Sequence, residues 1–191
     1  LIKIDAHIPW FTPLYPYYLF WPFSFFIIIP FILWKTNKKR GVALYCTISI
    51  IMYIIGTYIY QIFPTTFTPL EFINGKYNTL SQSAPFYHTA LKLASNTNNI
   101  WGAFPSYHNF WAALFIIIPL IDRREENKQN RNWRIASTII GSLITISTLV
   151  LHQHAFLDVV FTYLLTLSIY FIVIRTSIVT KTAKWLFDTF L

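Results

Sequence analysis

His154 and Asp158 stand four residues apart in Leu151-His-Gln-His-Ala-Phe-Leu-Asp158, and the sixteen residues from Val159 to Ile174 carry no charge. An aspartate there would face lipid or a dry helix bundle. That placement is costly, so an ionisable residue at membrane depth points to function. On a helix, residues i and i+4 share one face one turn apart, and this carboxylate can hold this imidazole. Such a partner fixes the tautomer of the ring and raises its basicity, which serves a nucleophile or a general base. A second histidine, His108, closes Phe104-Pro-Ser-Tyr-His108 just ahead of an apolar run. Pro followed by Ser at that place is a helix-start signature with Ser106 as N-cap. A helix N-terminus offers free N–H groups and a positive dipole end to phosphate. His108, in the first turn, would lie beside any anion held there.

Each motif also has a plainer reading. Pro105 to His108 reads as a cap followed by an interfacial histidine, and His154 with Asp158 as a buried polar contact between membrane helices. His152 reads as a polar residue at the water boundary. His152 and His154 form a His-x-His pair, but on a helix the two rings diverge and no third ligand cluster is present. Neither a metal nor a cofactor is therefore expected. A Ser106, His108 and Asp158 hydrolase lacks the Gly-x-Ser-x-Gly elbow.

The elements that must carry these residues are membrane spans. The 191 residues are 55% hydrophobic and only 12% charged, against about 25% charged in soluble domains. The mean hydropathy is +0.49. The expected fold is an all-α, polytopic bundle in a single domain over residues 1–191. Residues 1–16, with three prolines, suit an interfacial segment. Spans are expected over Tyr17–Trp34, Val42–Phe63, Ser106–Ile121, Ile135–Leu151 and Ala155–Ile174. The first is stopped by Lys35 to Arg40, and the third and fourth are separated by a charged hinge from Asp122 to Arg134. A polar loop covers 64–105 and a basic, amphipathic tail covers 175–191. Cys46, the single cysteine, cannot form an intrachain disulfide.

Five spans sort the cations. Twelve of the fifteen Lys and Arg fall on the face of 35–40, 122–134 and 175–191, and only Lys3, Lys76 and Lys92 fall on the other. The positive-inside rule makes the first face cytosolic. It also accounts for the net charge of +8 without a nucleic-acid partner. The loop 64–105, His108, His152, His154 and Asp158 then converge on the non-cytosolic face, as an active site at a membrane surface requires.

Pro105-Ser-Tyr-His108, followed by Ser147-Thr148-x5-His154-x3-Asp158, resembles the second and third motifs of the type 2 phosphatidic acid phosphatase superfamily, Pro-Ser-Gly-His and Ser-Arg-x5-His-x3-Asp. The wording around Phe-Pro-Ser-x-His and His-Gln-His is similar to the inositol phosphorylceramide synthase branch. Members with a membrane core usually have six spans, and a span preceding Leu1 would complete that number. The resemblance implies that His154 attacks phosphorus and forms a phosphohistidine. It also implies that Asp158 orients His154, that His108 protonates the leaving oxygen, and that Ser106 with nearby N–H groups holds phosphate. Tyr107, Ser147 and His152 would complete the surroundings of the substrate, a phosphorylated lipid.

The departures are Tyr107 for the motif glycine, Thr148 for the phosphate-clamping arginine, and the absence of the first motif, Lys-x6-Arg-Pro. Lys92 or Lys76 would then have to supply positive charge to the phosphate. Phosphatase and head-group phosphotransferase both stay open, with water or an alcohol as acceptor. A non-catalytic scaffold or transporter on the same fold is the reading from another class.

Overall fold

The computed structural model describes residues 8, 11–19, 21–62, 104–121, 128–151 and 154–189. Lys3, Lys76, Lys92, His152 and nearly all of the loop 64–105 lie outside the described residues. Among those described, the structure is helical with no strand. Short turns over Thr12–Leu14, Tyr15–Leu19 and Trp21–Phe23 and a wide π turn over Ser24–Ile28 lead into five helices. These are α1 (Ile29–Ile62), α2 (Tyr107–Ile121), α3 (Lys128–Val150), α4 (Phe156–Ile174) and α5 (Ile178–Thr189).

Three helical stretches are long and apolar enough to cross a membrane: Lys39–Ile62, Gln129–Val150 and Phe156–Ile174. Two shorter apolar helices, Ser24–Thr36 and Tyr107–Ile121, accompany them. These features, with the low charge content, support an integral membrane protein.

The expected stop at Lys35 to Arg40 takes an unexpected form. Helix flanks it closely on both sides, as Ser24–Thr36 and Lys39–Ile62, with no extended loop between them. Yet the Tyr45 hydroxyl donates to the Phe25 carbonyl at 3.1 Å, twenty residues back. A straight helix would hold those residues about 30 Å apart at 1.5 Å per residue. The chain therefore folds back on itself between them. Phe31 packs edge-on against Trp133, near the start of α3, at 5.5 Å. Tyr60, near the end of α1, donates its hydroxyl to the Pro105 carbonyl, just before α2. One arm thus runs away from the His108 end of the bundle and the other returns to it.

The core gathers Ile29, Ile32, Leu33, Leu44, Ile48 and Met52 of α1 with the apolar face of α2 from Phe110 to Ile118, joined by Ile144, Ile169, Tyr170 and Val173. Helices in lipid associate through close packing of small residues rather than through hydrophobic exclusion. Gly141 of α3 is such a contact, because a Cβ there would lie 2.7 Å from the Ala112 carbonyl oxygen and 2.9 Å from Ile116. The Ser137 hydroxyl, on the same helix, donates to the Phe115 carbonyl. Within the segment expected as a tail, Ile178–Thr189 forms α5 and folds back on α1. Val179 is buried there and the Thr47 hydroxyl meets that of Thr182 at 3.0 Å, while Lys181, Lys184 and Trp185 stay exposed.

Candidate active site

The site forms where α2 and α4 begin and α3 ends. Ser106 caps α2, its Oγ accepting the Asn109 N–H at 3.2 Å. This satisfies one of the orphan donors of the first turn. His108 follows within that turn. Beyond Val150 the chain turns tightly, and the His154 N–H donates to the Thr148 carbonyl at 3.3 Å. α4 then starts at Phe156. Its N-cap is Ala155, which has no side-chain acceptor of its own. Asp158 reaches back instead, its Oδ2 accepting the Ala155 N–H at 3.1 Å.

These turns bring together three side chains that the sequence separates. The His108 and His154 rings have centroids 5.7 Å apart, inclined at 54°. Asp158 Oδ2 lies 3.9 Å from His154 Nδ1. That is an ion-pair distance, longer than the 2.7–3.2 Å of a hydrogen bond. The carboxylate therefore acts on the ring by charge while it also anchors the start of α4. Nδ1 is the ring nitrogen on the Asp158 side.

Tyr18 covers the other side of His108, stacked on the imidazole at 4.8 Å with planes 30° apart. It comes from the segment before α1, which is tied to the end of α3 by the Phe11 N–H donating to the Val150 carbonyl at 3.1 Å. Nothing in the sequence marks this contact, because Tyr18 falls within the expected first span, Tyr17–Trp34.

The other expected residues fall in different places. The Tyr107 ring turns onto α1, where its hydroxyl donates to the Tyr53 carbonyl at 3.1 Å. There it occupies the space left by Gly56, at which a Cβ would meet the Tyr107 hydroxyl at 2.5 Å. In the position of the motif glycine, this tyrosine fastens α2 to α1. Ser147 is fully buried and donates to the Ile144 carbonyl of its own helix at 2.7 Å. Thr148 is also fully buried, and its Oγ1 accepts from Asn109 Nδ2 at 3.0 Å. Asn109 was not anticipated. It is fully buried and also donates to Ser106 Oγ at 2.9 Å. The faint signal for it is a polar residue three places after the N-cap in an otherwise apolar helix.

Among the described residues no three His, Cys, Asp or Glu side chains cluster as a metal site. An apolar groove of about 510 Å³ opens among α2, α3 and α4, lined among others by Ile116, Thr145, Ile146, Val159, Tyr163 and Leu164. Its two main hydroxyls satisfy each other, Thr145 and Tyr163 meeting at 2.6 Å. The groove starts at Val159, the residue after Asp158.

The arrangement is that of a membrane-embedded helical protein with paired histidines and a carboxylate at its helix ends. The family model of the PAP2 superfamily matches residues 3–172. The chain belongs to that superfamily, and the membership supports a phosphatase-type enzyme acting on a phosphorylated substrate. No curated protein and no solved structure matches it.

Proposed function

We propose that this protein is an integral-membrane phosphatase or phosphotransferase that acts on a lipid phosphate through a phosphohistidine at His154. The observation that carries the reading is the grouping of His108, His154 and Asp158 where α2 and α4 start and α3 ends. His154 Nε2 attacks phosphorus as the bond to the leaving oxygen breaks. His108 gives that oxygen its proton. Asp158, on the Nδ1 side, stabilises the positive charge that the ring acquires. His108, now neutral, takes a proton from water or from a lipid alcohol, whose oxygen attacks the phosphohistidine and frees His154. Phosphoryl transfer of this kind relies mainly on positioning and charge stabilisation.

The groove, whose lining includes Val159, the residue after Asp158, supports a lipid substrate, since it offers an apolar surface to a hydrocarbon chain. Lys76 or Lys92, from the loop 64–105, supplies the positive charge for the phosphate. Five apolar helical segments and the lopsided cation distribution support five spans with the site on the non-cytosolic face. The buried, uncharged Thr148 favours a singly charged phosphodiester, and so a head-group transferase of the inositol phosphorylceramide synthase type as the second reading.

The test is to incubate purified protein with phosphatidic acid, a phosphorylated isoprenoid and a phosphodiester lipid, each carrying labelled phosphorus. Quenching in base preserves phosphohistidine. Label on His154 supports the reading. Full turnover in His154→Ala would overturn it and leave a scaffold or transporter in its place.

A further inference from the structure

Four fully buried polar residues, Ser106, Asn109, Thr148 and Thr162, are joined by hydrogen bonds. Asn109 lies at their centre. Its side-chain nitrogen donates to Ser106 Oγ at 2.9 Å and to Thr148 Oγ1 at 3.0 Å. The Ser106 N–H donates to Thr162 Oγ1 at 3.0 Å. Thr148 Oγ1 in turn donates to the Thr145 carbonyl at 2.8 Å. The three helices that carry the site are thus tied by one set of hydrogen bonds: α2 through Asn109, α3 through Thr148 and α4 through Thr162.

Two of these residues connect to the histidines through the main chain. Asn109 follows His108 in the first turn of α2. Thr148 offers its carbonyl to the His154 N–H at 3.3 Å. Asn109 and Thr148 therefore form a polar bridge between the backbone under one ring and the backbone under the other. Thr162 lies one turn beyond Asp158 on α4, so the same set fixes the carboxylate.

We infer that Asn109 is a positioning residue: through Thr148 it sets the 5.7 Å separation of the His108 and His154 rings that in-line transfer needs. This rests on the phosphoryl-transfer reading. An attacking nitrogen and a proton donor must flank one phosphorus atom, on opposite sides of it. A shift in their spacing of about 1 Å can cost about 100-fold in rate. The position at which the superfamily pattern has arginine is spent here on a neutral side chain bonded to Asn109.

The test compares Asn109→Leu, Thr148→Val and Thr148→Ser with the wild type, on a lipid phosphate with a poor leaving group and on an aryl phosphate with a good one. Asn109→Leu and Thr148→Val should lower kcat for the poor leaving group by about 100-fold and change KM little. Thr148→Ser, which keeps the hydroxyl, should recover most of that loss. The defect should shrink on the aryl phosphate, because His108 has little to do there, and Asn109→Leu combined with His108→Ala should be little worse than His108→Ala alone. A merely structural role would lower both substrates equally and add to the His108 loss. That result, or an unchanged kcat, overturns the inference. If Asn109→Leu does not fold, the two Thr148 variants make the same comparison. Turnover surviving in His154→Ala would instead strike the underlying reading, so the two failures are told apart.

Discussion

Asp158→Asn isolates the charge of the carboxylate from its structural work. Asparagine has nearly the same shape, and its amide oxygen can still accept the Ala155 N–H that Asp158 Oδ2 now accepts at 3.1 Å. The start of α4 should therefore survive. What disappears is a negative charge 3.9 Å from His154 Nδ1. At an effective dielectric of about 20, two unit charges at that distance attract by about 4 kcal/mol. The Asp158 side chain is 17% exposed, so screening trims this to roughly 2–4 kcal/mol. The imidazole becomes positive as it attacks phosphorus, so the loss falls on the transition state and the intermediate. With each 1.36 kcal/mol worth tenfold in rate, kcat should fall by roughly 30- to 1,000-fold. The assay is steady-state turnover of a phosphorylated lipid in detergent, with His154→Ala as the floor and thermal unfolding as the check on the fold. A folded Asp158→Asn with kcat within threefold of wild type would refute the electrostatic role.

Three further outcomes follow from the same geometry. His108→Ala should lose turnover of substrates with poor leaving groups but form phosphohistidine normally from an aryl phosphate, because such a group departs unprotonated; equal losses on both substrates would deny His108 the role of acid. Leu164→Trp fills the apolar groove, so kcat/KM should drop for a long-chain lipid and stay unchanged for a short soluble phosphoester, and an equal response of the two would separate the groove from binding. Cysteines placed at Asn98 and Lys128 should be labelled from opposite sides of the membrane, and labelling of both from one side would dismiss the five-span topology.

The candidate residues were readable because membrane sequence is so poor in charge that Asp158 and the histidines stand out against it. The helix starts that present them were readable from Pro105 with Ser106 and from the end of the apolar run at Leu151. What supports them was not. Asn109 and Thr148 are 39 residues apart, and each alone is an unremarkable polar residue in a span. Their meeting depends on how closely α2 and α3 approach, which Gly141 permits. Tyr18 reaches His108 only because the aromatic segment before α1 folds over the end of α3. Tyr107 occupies a motif position, yet its ring is directed by Gly56 on a distant helix. Lys35 to Arg40 reads as a stop in the sequence, and the chain folds back there between Ser24–Thr36 and Lys39–Ile62.

The threonine that stands in place of the motif arginine bears on which phosphate is turned over. Thr148 occupies the position of the clamping arginine and is fully buried, with its hydroxyl already engaged by Asn109 and the Thr145 carbonyl. It offers neither a cation nor a free donor. A phosphomonoester carries up to two negative charges and a phosphodiester one. The second charge, brought to about 4 Å from groups at an effective dielectric of about 20, is worth up to about 4 kcal/mol when matched by a cation and is lost when it is not. Besides Lys3, the cations expected on the face of the site are Lys76 and Lys92, in the loop 64–105. Wild-type protein should therefore turn over a diester lipid at least as fast as its monoester counterpart. Lys76→Ala with Lys92→Ala should widen that gap by slowing the monoester more, at low ionic strength most of all. Rates for matched mono- and diester lipids in wild type and double variant decide the matter. A monoester preference that persists without either lysine would show that helix-terminal N–H groups alone hold both charges.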